Sequence, residues 1–159
     1  MRAARVLLAT SFAAVTACNN TPPPPAPEPI ALHVSMDPRR VVSTSAQILT
    51  GAGWAVVVSD APGGVLRAEH KAEGDGNGEW IACENGWGKR GDRRSQTLSL
   101  TSTVSVQMVA KPVTGGTRVQ ITANAQATTA PMLIRAPVAC VSSGTIERFL
   151  ADSLRVASK

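Results

Sequence analysis

Two segments in the second half of the chain leave little freedom in how it can fold. From Thr97 to Met108, Leu98, Leu100, Val104, Val106 and Met108 share one parity, and Thr97, Ser99, Thr101, Thr103, Ser105 and Gln107 share the other. The two-residue period returns from Arg118 to Ala127. There Val119, Ile121, Ala123, Ala125 and Ala127 alternate with Arg118, Gln120, Thr122, Asn124 and Gln126. Successive side chains of a strand point to opposite faces, so each segment reads as a strand with one apolar and one polar side. Thr114-Gly115-Gly116 between them supplies a turn, and the pair is expected as an antiparallel hairpin.

A hairpin with one greasy face needs a cover, and the flanking sequence offers two helices. Asp37 can cap a helix whose first position is Pro38, and Val41, Val42, Ile48, Leu49 and Ala52 recur at helical spacing before Gly53, which predicts a helix over 38–52. Near the other end, Ser142-Ser143-Gly144 precedes a segment that places Ile146, Phe149, Leu150 and Leu154 on one side. Trp54 to Asp60 and Val65 to Lys71 read as two further strands around the turn Ala61-Pro62-Gly63-Gly64, and Trp80 to Cys83 as a short one. The expectation is an α+β fold. A four- or five-stranded antiparallel sheet carries the N- and C-terminal helices on one face and shows Thr, Ser, Gln and Asn on the other.

The amino-terminal segment has a different character. Arg2 and Arg5 precede an apolar run from Val6 to Val15, followed by Thr16, Ala17 and Cys18. A membrane-spanning helix needs about 20 apolar residues, and this run is about half that, so residues 1–17 read as a signal peptide that is removed. Val15-Thr16-Ala17-Cys18 resembles the lipobox of bacterial lipoproteins. The resemblance implies a diacylglycerol on the Cys18 sulfur, cleavage before Cys18, and an acyl chain such as palmitate on the new amino group. One acyl chain holds a protein only marginally, whereas two or three make a durable anchor.

Residues 19–29, NNTPPPPAPEP, contain six prolines in eleven positions. A run of this kind favours extended polyproline geometry, roughly 34 Å at about 3.1 Å per residue, and carries no side chains for a core. Residues 18–29 are therefore read as lipidated cysteine and linker, and 30–159 as a single periplasm-facing α+β domain. Asn19 is not the Asp that favours inner-membrane retention in lipoprotein sorting, so the outer membrane is the expected location. The helix-strands-helix order, the phrase GAGWAVVVSDAPGGVLRAE from Gly51 to Glu69 and the lipid anchor also resemble the helix-grip domains of lipoproteins that accompany outer-membrane protein assembly. That likeness carries neither a function nor a binding residue to this chain.

With Cys18 assigned, Cys83 and Cys140 remain, and thiols of a small exported domain tend to be oxidised, so these two are expected to form a disulfide. Asp75, Asn77 and Glu79 alternate as a calcium loop would. The pattern fails where Trp80 and Gly86 stand at the required Gly and Glu positions, and a flexible hairpin tip is expected instead. His33 and His70 have no partners at zinc spacing, so neither metal nor other cofactor is expected. No nucleophile elbow, paired-carboxylate set or phosphate loop occurs, which makes an enzyme the least supported class.

Of 16 Lys and Arg, 14 remain after Arg2 and Arg5 are removed, against 11 acidic residues, an excess too small to argue for nucleic acid. The densest charge is KRGDRR, Lys89 to Arg94, with Trp80 and Trp87 just before it. Lys89, Arg90, Arg93, Arg94 and the two tryptophans form the expected contact surface, since cations engage carboxylates or phosphates while indoles add apolar area. The expected function is a membrane-tethered, non-enzymatic envelope lipoprotein that binds a protein or cell-wall partner. The alternative is a carrier for a lipid-like ligand held between sheet and helix.

Overall fold

A computed structural model describes residues 22–74, 77–84, 100–129 and 136–159. The first strand, β1 (Ile30–Val34), leads into α1 (Pro38–Gly51). Asp37 caps α1, its Oδ1 accepting from Arg40 N at 3.0 Å, and Pro38 occupies the first turn as expected. Val41, Val42, Ser45 and Leu49 form its buried side. Trp54 N donates to Leu49 O at 2.9 Å just past the helix, turning the chain back through Gly53 at φ +85°.

Strands β2 (Ala55–Asp60) and β3 (Val65–Glu73) form the first hairpin, and β5 (Thr101–Val113) and β6 (Gly116–Thr129) the second. The second hairpin pairs continuously from Thr101 opposite Thr128 to Val113 opposite Gly116. Between the hairpins lies β4 (Ile81–Cys83). After β6 come β7 (Ala136–Val138), β8 (Cys140–Ser142) and α2 (Thr145–Ala157). The main sheet is antiparallel in the order β1-β6-β5-β3-β2, and β7 extends it by pairing with the far end of β6.

The fold is α+β, an antiparallel sheet with its two helices on one face. The sheet has six strands rather than four or five. The additional strands, β1 and β7, are five and three residues long, too short to display a period on their own. The short segment ending at Cys83 is a strand, but it pairs with β8 in a separate two-stranded ribbon.

Alternation along β5 and β6 has the predicted consequence. Val104, Val106, Met108, Val119 and Ile121 are buried at 0–1 % exposure against Val41, Leu49, Ile146, Leu150 and Leu154 of the helices. Polar Ser102 shares the buried parity and sits at 1 % exposure. On α2, Ile146, Leu150 and Leu154 are buried as expected, whereas Phe149 is 38 % exposed and Ala151 takes the inward position. The helix begins one residue later than its serines suggest. Gly144, at φ +79°, precedes it with no side chain to cap; Ser143 Oγ accepts from Thr145 N at 3.3 Å, and Ser142 Oγ accepts from Gly144 N at 3.1 Å and bonds Glu147 Oε2 at 2.9 Å.

Candidate binding surface

Since both helices lie on one side, the opposite face of the sheet has no covering layer among the described residues, and its side chains can be read row by row from the register. Thr103 stands beside Gln126 and Lys71, Ser105 beside Asn124 and Glu69, and Gln107 beside Thr122 and Arg67. At β3 these rows are ion-paired. Arg67 Nη2 meets Glu69 Oε1 at 2.7 Å, Arg67 Nε donates to Ser105 Oγ at 3.2 Å, and Lys71 Nζ lies 4.0 Å from Glu69 Oε2.

Toward the β5–β6 turn the character changes. His33 of β1 is paired with Arg118 of β6, and Arg118 is paired with Lys111 of β5. Their sequence neighbours Leu32, Val34, Ala110, Thr117 and Val119 are buried, which puts all three basic side chains on the open face. Among the described residues none of the three has a hydrogen bond or ion pair. Like charges facing one another across a ladder are unfavourable, so this end of the face holds uncompensated cationic groups. Two shallow concavities flank Arg118. One, of about 270 Å³, is lined by Ala31, Leu32, His33 and Val113, and the other, of about 230 Å³, by Val109, Lys111 and Gln120. Asp60 is separated from β5 by β3 in the sheet, and its Oδ1 accepts from Gly63 N at 2.9 Å.

The opposite end of the domain is a locked structure. Cys83 and Cys140 are direct partners in the β4–β8 ribbon and form a disulfide, their Cα atoms 4.0 Å apart. Ser143 N donates to Trp80 O at 2.9 Å and Ser143 Oγ to Glu79 O at 2.7 Å, fastening the start of α2 to the residues before β4. The approaching linker lies here too, since a Cβ built on Gly144 would meet Pro27 Cβ at 3.4 Å. From Ile30 to Val34 the chain then runs along β6 toward the Lys111–Arg118 end.

Next to this ribbon, Asn77 is fully buried rather than part of a flexible tip. Its Oδ1 is 2.6 Å from His70 Nδ1, and its Nδ2 donates to Ser102 Oγ at 2.8 Å and to Ser102 O at 3.2 Å. Because Asn77 Nδ2 is the donor toward Ser102, the Oδ1 must accept, and His70 carries its proton on Nδ1. Trp54 packs between His70 and Trp80, with ring centroids 5.5 and 5.8 Å away, and its buried Nε1 has no hydrogen-bond partner among the described residues.

Of the residues expected to form a contact surface, Trp80 is half-buried against the core and Trp54. Trp87, Lys89, Arg90, Arg93 and Arg94 lie outside the described residues, as does Cys18. Cys83 and Cys140 are joined as expected. No group of three His, Cys, Asp or Glu side chains among the described residues is placed to hold a metal ion. Sequence reasoning passed over the His33–Arg118–Lys111 row because its members come from three strands, one of them too short to recognise.

No family model matches this chain, and no curated protein does. Among solved structures, it is similar to a crystal structure of a DUF4468 family protein from Bacteroides ovatus, at 10 % identity and a TM-score of 0.39. The similarity covers 69 % of this chain and 58 % of that one, so the chain spans less than two thirds of the protein it matches.

Proposed function

We propose that the protein is a lipid-anchored envelope module with no catalytic role, tethered through Cys18 and binding a protein or cell-wall partner on the uncovered face of its sheet. The observation that carries this reading is the distribution of polar groups over that face. Hydroxyl and amide side chains of β5 and β6 stand in adjacent rows and end in an uncompensated cationic row, while both helices occupy the other side. Such a surface offers many hydrogen bonds and a charge gradient. The anchor would follow from the lipobox resemblance at Val15–Cys18, and the prolines of residues 22–29 would act as the spacer.

The test is site-specific photocrosslinking in intact cells. A photoreactive residue at Asn124, on the open face, is expected to capture a discrete envelope component, and the same residue at Phe149, on α2, is not. Mass spectrometry of the mature amino terminus is expected to show diacylglycerol on Cys18. Equal labelling from both positions would overturn the assignment of the face, and an unmodified Cys18 would overturn the tether.

A further inference from the structure

The row His33–Arg118–Lys111 has three properties that bear on a ligand. Its members are exposed and register-matched, Lys111 and Arg118 face one another with like charge, and no acidic side chain among the described residues pairs with the row. Three basic groups held side by side on rigid strands match the spacing of oxyanions better than three on a loop would, and the Arg118 guanidinium can take a carboxylate through two parallel hydrogen bonds.

The surroundings narrow the class of ligand. A protein interface is centred on buried aromatic or large aliphatic anchors. The rows next to the basic one offer Gln120, Gln107, Thr122, Ser105 and Asn124, and the apolar side chains among them, Ala31, Val65, Val109 and the exposed Val58 and Val113, are small or β-branched and scattered rather than clustered. Among the described residues of this face the only aromatic ring is the imidazole of His33. Hydroxyls and amides followed by cations suit a polymer that carries hydroxyls, amides and carboxylates together.

The row also has a defined place relative to the linker. The linker approaches beside Gly144, at the ribbon end, and β1 carries the chain away from there toward Arg118. Ile30, where the linker ends, pairs with Ile121, so the chain enters the sheet about 10 Å along β6 from Arg118, and the basic row lies just beyond that entry at the β5–β6 turn end.

From these observations we infer that the His33–Arg118–Lys111 row is a carboxylate-binding site for the acidic glycopeptide of the cell wall, with the neighbouring Gln and Thr rows holding its sugar and amide groups. This rests on the envelope reading above and specifies its partner as peptidoglycan rather than a protein.

The experiment is co-sedimentation of the purified full-length protein, in mild detergent, with insoluble peptidoglycan sacculi. The wild type is expected to pellet. The double variant Lys111→Gln/Arg118→Gln is expected to bind about tenfold more weakly or worse. The charge-matched control Arg39→Gln/Arg155→Gln, on the helices of the other side, is expected to pellet like the wild type. Sacculi whose carboxylates have been converted to amides are expected to bind the wild type as poorly as native sacculi bind the double variant. The inference is overturned if the wild type does not pellet, if Lys111→Gln/Arg118→Gln pellets undiminished, if the control loses binding to the same extent, or if amidation has no effect. It is also overturned if the row instead governs binding to phosphatidylglycerol vesicles while sacculi are ignored. Because the sacculi report only on the face, an unlipidated Cys18 with intact sedimentation would overturn the tether alone, and a lipidated protein that ignores sacculi would overturn the ligand alone.

Discussion

Asn77 and Ser102 meet in the interior, Nδ2 to Oγ at 2.8 Å, and neither side chain has more than 1 % of its surface exposed. The same amide receives the His70 ring, so a single residue joins the connection after β3 to both β3 and β5. A buried polar group that loses its partner costs more than the hydrogen bond itself contributed.

Asn77→Ala is therefore expected to destabilise the fold by about 2–4 kcal/mol, because the His70 N–H loses its acceptor and the buried Ser102 Oγ, which still donates to Ala72 O, loses its donor. In urea unfolding, Asn77→Ala/Ser102→Ala should lose clearly less than the sum of the two single variants, as groups in one network are not independent. Strict additivity would show that the pair is not coupled.

The disulfide closes a loop over a sequence separation of 57 residues. In the chain-entropy model that closure contributes about 4 kcal/mol through the unfolded state. Cys83→Ser/Cys140→Ser is expected to lower the unfolding free energy by up to that amount while leaving the far-ultraviolet circular dichroism of the folded protein unchanged.

Two glycines at positive φ separate backbone strain from steric overlap. Gly53, at φ +85°, has open space where a Cβ would go, whereas a Cβ on Gly64, at φ +69°, would overlap the Ala110 carbonyl oxygen. Gly64 O also accepts from Ala110 N at 2.7 Å, so the β2–β3 turn sits directly on β5. Gly53→Ala should cost about 1–2 kcal/mol, the ordinary penalty for a left-handed backbone, and Gly64→Ala distinctly more. Thermal denaturation of the two variants side by side checks the order.

Neighbouring residues on α2 give a further contrast. Leu150 is fully buried and Phe149 is 38 % exposed. Leu150→Ala is expected to cost about 2–5 kcal/mol by opening a cavity in the core. Phe149→Ala, although it removes the larger side chain, should cost about 1 kcal/mol, since that ring gains only part of its burial. Equal losses in denaturant titrations would contradict the orientation of the helix.

What could be read before the structure was the periodic part of the chain. The alternation over Leu100–Met108 and Val119–Ala127 dictated the long hairpin and its polar face, and Thr97 to Ser99, the start of the same pattern, lie outside the described residues. Asp37-Pro38 marked the first helix, and the two cysteines left after Cys18 had only each other as partners. Each of these is local, or is decided by counting, so the residues themselves carry the signal. Phe149 shows the limit of periodicity, since helical spacing admits it to the apolar stripe but only the fit against the sheet leaves it at the edge.

The tertiary structure alone decided the rest. It paired Ile30–Val34 with β6, detached Ile81–Cys83 from the main sheet, buried Asn77, and brought His33, Arg118 and Lys111 into one row. Every one of these depends on contacts between segments far apart in the chain. A strand's own period says which residues share a face but not which strand lies beside it, and that choice comes from register and packing across the whole sheet.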